Sequence, residues 1–63
     1  MTGERRAQII AHIQDIARKP WRGEAPADQR AELDGFKAAL RQRGEANDAD
    51  VIRAFAAAER QLT

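Results

Sequence analysis

Residues 3–20 read GERRAQIIAHIQDIARKP. Within this stretch Ile9, Ile13 and Ile16 fall at i, i+4 and i+7, and Ile10, Ile13 and Ala17 repeat that spacing one residue on. On a helical wheel the two sets cover an arc of about 120°, as expected of an amphipathic helix with a broad core-facing side. Thr2 suits the N-cap, and Glu4 places an anion in the first turn. Arg18 and Lys19 place cations in the last turn, where the helix dipole favours them. Pro20 disfavours helical geometry at Lys19 and stops the run, so the pattern predicts a helix over roughly residues 3–18.

Beyond Pro20, Trp21, Arg22, Gly23, Glu24 and Ala25 read as a loop, after which Pro26 suits the first turn of a second helix because its missing N–H would be unpaired there. Asp28 sits in that turn, and Gln29, Leu33, Phe36 and Leu40 form one narrow stripe. Arg41 and Arg43 lead into Gly44, a natural left-handed residue just past a helix end, so this helix is predicted over roughly 26–43. Gly35 inside it costs about 1 kcal/mol relative to Ala and is read as a tolerated surface position or a close helix crossing. Asn47 is the expected N-cap of a third helix over roughly 48–62, with Asp48 and Asp50 in its first turn. Its stripe is Val51, Phe55, Ala58 and Leu62, with Ile52 flanking. No stretch alternates as a strand would and no hairpin signal occurs. The expected fold is therefore all-α, a small antiparallel three-helix bundle forming a single domain over residues 1–63.

A chain of 63 residues buries only about 60% of the surface its unfolded form exposes. It has no Cys for a disulfide, and its one His, His12, makes no zinc site alone. Stability must come from packed helices, self-association or a partner. Ile9, Ile10, Ile13 and Ile16 are the candidate self-association residues, because their arc exceeds what the narrow Leu33, Phe36, Leu40 stripe can cover. His12, one turn from Ile9, is expected to cover the edge of the core.

The inventory for catalysis is poor. There is no Cys, Ser or Tyr, and the hydroxyls are Thr2 and Thr63 at the two ends. Glu32 with Asp34, and Asp48 with Asp50, are spaced i, i+2 and do not face each other on a helix. No Gly-rich phosphate loop is present, and neither a catalytic residue, a metal site nor a cofactor is expected. The net charge of +1 gives no global field toward nucleic acid or anionic lipid. No apolar run is long enough to span a bilayer or to act as a signal peptide, so the expected location is the cytoplasm. The preference for Arg over Lys, together with abundant Ala, is a composition associated with GC-rich bacterial and phage genomes.

The residues best suited to contact a partner are Arg18, Lys19, Trp21 and Arg22, a basic-aromatic run holding the only Trp, since Trp and Arg dominate interface hot spots. The expected function is a non-catalytic protein-interaction module, a regulator, inhibitor or adaptor that binds a larger protein. The alternative is a helix-turn-helix-like nucleic-acid-binding protein built on the second and third helices, with Arg53, Arg60 and Gln61 reaching the ligand. Glu45, Asp48 and Asp50 at the start of the third helix argue against it, because they would meet phosphates.

Overall fold

The computed structural model describes residues 1–18 and 26–62. Among them it contains three α-helices and no strand: α1 (Gly3–Ala17), α2 (Pro26–Gln42) and α3 (Ala49–Gln61). The expected all-α three-helix fold is what forms. Each helix stops one residue short of its expected C-terminal end, and α3 starts one residue late. Thr2 caps α1, its hydroxyl accepting the Arg5 N–H at 3.1 Å. Arg18 is the C-cap of α1, one position beyond the turn expected to hold its charge. Lys19, the break at Pro20 and the loop reading from Trp21 to Ala25 lie outside the described residues.

The C-terminal carbonyls of α1 are satisfied from α2. The buried Gln29 amide donates to the carbonyls of Ile16 at 3.4 Å and Arg18 at 3.1 Å, so a polar member of the α2 stripe caps the neighbouring helix. At the end of α2, Gly44 takes φ of +72° as expected. The Glu45 N–H bonds the Leu40 carbonyl at 2.8 Å and the Gly44 N–H bonds the Arg41 carbonyl at 3.1 Å, which is the paired arrangement of a Schellman cap. Asp48, not Asn47, is the N-cap of α3: its Oδ1 accepts the N–H groups of Asp50 at 2.9 Å and Val51 at 3.3 Å. Asp48 is also held from α1 by Arg6, a distant residue whose position no local pattern reveals.

Contacts set the topology. Gln29 at the start of α2 meets the end of α1, and Arg5 and Arg6 at the start of α1 meet Glu45 and Asp48 just before α3. The bundle therefore runs up, down, up, with α2 antiparallel to both α1 and α3. Helix α1 packs most extensively on α3, less on α2, while α2 and α3 touch least. The core comprises Ile9, Ile13, Ile16 and Ala17 of α1, Leu33 and Leu40 of α2, and Val51, Phe55, Ala58 and Leu62 of α3 and its cap. Phe36 is half-buried at its edge, and His12 covers it from α1 with ring centroids 4.5 Å apart.

This packing accounts for the breadth of the α1 arc within the single chain. Ile9, Ile13 and Ile16 are at most 1% exposed within the single chain, and Ile10 is intermediate. The arc is too wide for α2 alone because it serves two neighbours: α3 fills the remainder. Gly35 is settled as well. It is exposed, and a Cβ built there meets nothing within 4 Å, so it marks no helix crossing.

Candidate functional site

Among the described residues, a groove lies on either side of α3. The one on its α1 side is floored by Ala17, Ala54, Ala57 and Ala58 and bordered by Gln14, Arg18 and Gln61. Small side chains allow α1 and α3 to approach closely, so this groove is the outer margin of the tightest helix pair. Arg18, from the basic-aromatic run, is exposed at its edge. Lys19, Trp21 and Arg22 lie outside the described residues.

The groove on the α2 side has a different chemistry. Its volume is about 350 Å³, and it is lined by Lys37 and Arg41 from α2, Ala46 and Asn47 from the connecting turn, and Ile52, Phe55, Ala56 and Glu59 from α3. A shallower extension shares Ala56 and Glu59 and continues to Arg30 and Arg60. No residue of α1 contributes to either part. Ile52 is 54% exposed at the lip and, with Met1, is one of two large hydrophobics exposed among the described residues. Helical geometry explains its position: Ile52 lies about 100° round the wheel from Val51, just outside the buried stripe and on the side that faces α2.

Cations border this groove on the α2 side. Arg30, Lys37 and Arg41 repeat at i, i+7 and i+11 on one side of α2, with the exposed Asp34 at i+4 on the same side but not lining the groove. Lys37 Nζ lies 3.5 Å from Glu59 Oε1 and 5.6 Å from the centroid of the Phe55 ring, and so links α2 to α3. Phe36 and Phe55, centroids 6.1 Å apart, make the apolar part of the same link. Arg30 and Arg41 make no ion pair with a described residue.

At the start of α3, next to the Ala46 and Asn47 end of the groove, the acids are engaged. Arg5 grips Glu45 through two bonds, Nε to Oε2 at 2.9 Å and Nη2 to Oε1 at 3.1 Å. The Arg5 hydrogen bond holds the Glu45 carboxyl below its ordinary value. Arg6 Nε donates to Asp48 Oδ2 at 2.8 Å and does the same to that carboxyl, with the cap bonds from Val51 and Asp50 adding to the effect. Asp50 pairs with Arg53. The first turn of α3, with which a helix-turn-helix would enter a groove in DNA, is thus tied to α1.

Among the described residues no cluster of His, Asp and Glu is placed to hold a metal, and no helix is long and apolar enough to cross a membrane. Sequence reasoning named Ile52 only as a flanking residue and did not single out Arg30, Lys37 or Arg41. The signal was present in the wheel: Ile52 exceeds its stripe toward the same side on which α2 carries its i, i+7, i+11 cations. The chain matches no protein-family model, no curated protein and no solved structure.

Proposed function

We propose that this chain is a non-catalytic protein-interaction module, a small regulator, inhibitor or adaptor that docks on a larger protein through the face formed by α2 and α3. The observation that carries the reading is Ile52, a large aliphatic side chain left 54% exposed beside a groove with Phe55 at its base. Burying a large aliphatic side chain completely gains about 1.5–3 kcal/mol, and about half of that remains to be gained at Ile52, so a partner that covers it adds to what the small core of the free chain supplies. The engagement of Glu45 and Asp48 by Arg5 and Arg6 supports a protein partner over nucleic acid, since it commits the start of α3 to internal contacts. Arg18, Lys19, Trp21 and Arg22 remain a second proposed contact, on residue type alone.

The test uses the chain as bait in nuclease-treated extract of its source organism, beside an Ile52→Arg variant whose helicity is first verified. A protein retained by the wild type and lost with Ile52→Arg is the expected result. Identical capture by both baits rejects the face. Tight, salt-sensitive binding of duplex DNA that survives Ile52→Arg replaces the proposal with the nucleic-acid reading.

A further inference from the structure

We infer that the occupant of the α2–α3 groove is an amphipathic helix of another protein that carries carboxylates along the flanks of its apolar face. The inference rests on the proposed function and names the chemistry of its partner. Geometry supplies the helix. Helix α1 packs on α2 and α3 from one side, and the groove between those two contains no α1 residue. It is therefore the open fourth position of a four-helix arrangement, where ridges spaced by helical turns receive another helix. Along α3 the lining runs from Ile52 to Arg60, about 12 Å at the helical rise, or about two turns of a docked helix. A groove of that length takes apolar side chains at i and i+4 against Ile52, Phe55 and Ala56.

Charge supplies the carboxylates. Arg30, Lys37 and Arg41 border the groove, and among the described residues Glu59, already matched by Lys37, is the acid that lines it. Arg30 and Arg41 are left to face the partner's flank. The same charges disfavour a second copy as occupant, because self-pairing brings the Arg30, Lys37 and Arg41 borders of the two chains together with only one groove acid each to offset them. A copy also adds little apolar surface, since Ile52 and Met1 are the large hydrophobics exposed among the described residues.

The experiment titrates the full chain with a fluorescein-labelled helical peptide of about 14 residues, long enough to exceed the groove. Its leucines stand at i, i+4 and i+7 with Glu on both flanks, and a twin peptide carries Lys in place of every Glu. The acidic peptide is expected to bind at least about tenfold tighter than its twin, with affinity falling as salt rises. Ile52→Arg is expected to remove binding of both peptides. Arg41→Glu, exposed and not expected to disturb the fold, is expected to weaken the acidic peptide about tenfold and to improve the twin. Equal binding of the two peptides, no binding of the acidic one at about 1 mM, or binding that survives Ile52→Arg overturns the inference. So does a dimer in sedimentation that Ile52→Arg dissolves, which assigns the groove to a second copy. A natural partner whose capture needs Ile52 but ignores Arg30→Glu and Arg41→Glu leaves the proposed function standing and removes only the acidic helix.

Discussion

Asp48 shows how much one side chain does in a chain this short. Its Oδ1 caps α3 while its Oδ2 accepts Arg6 from α1, so a single carboxylate both starts a helix and fastens it to its neighbour. Glu45, gripped by Arg5, makes the adjoining contact. Both carboxyls lie below their ordinary values of 4.5 for Glu45 and 3.8 for Asp48, chiefly through the arginine hydrogen bonds. The unfolded chain therefore takes up protons first as pH falls, and stability present above the ordinary values is lost progressively through and below them. Thermal melts should be insensitive to these two groups at pH 6–7 and fall below about pH 5. In a Glu45→Gln, Asp48→Asn double variant the acid-induced decline should shrink; an unchanged decline would show that these pairs contribute nothing to folding. Gln29 is the other residue whose role is out of proportion to its size. Gln29→Leu keeps the bulk but leaves the Ile16 and Arg18 carbonyls without their donor, and should cost about 1–3 kcal/mol in denaturant titration.

The helices themselves were largely legible, because their signals are local. The i, i+4, i+7 stripes, Thr2 at one end of α1 and Gly44 at the end of α2 are each visible within a few residues of sequence. The N-cap of α3 was misplaced by one residue, since Asn47 and Asp48 both have capping side chains and the choice depends on Arg6, 42 residues away. The two glycines of α2 and its cap offer a matched test. Gly35→Ala, at an exposed helical site with open space around it, should stabilise by about 0.5–1 kcal/mol. Gly44→Ala, at φ of +72°, should destabilise by about 1–2 kcal/mol, and melting temperatures should move in opposite directions by several degrees, at about 4–8 °C per kcal/mol. In the core, Ile13→Ala should cost about 2–5 kcal/mol, whereas Phe36→Ala should cost less, because Phe36 is only half-buried.

At the scale of the molecule, sequence periodicity says which face of each helix is apolar but not which helices share it. The wide arc of α1 suggested association between chains, and within the chain α3 covers what α2 does not. The large hydrophobic left exposed on a helix, among the described residues, is instead Ile52 in the α2–α3 groove, to whose lining α1 contributes nothing. The free chain should accordingly sediment as a monomer at micromolar concentration. The footprint of the captured partner on the amide spectrum of the isotopically labelled chain tests the α2–α3 interface directly. The amides of Lys37, Arg41, Ile52, Phe55 and Ala56 should shift together, while those of the buried α1 residues Ile9, Ile13 and Ile16 stay near their free positions. A footprint confined to residues 18–22, with α2 and α3 unmoved, would contradict it and transfer the interface to the Trp21 run.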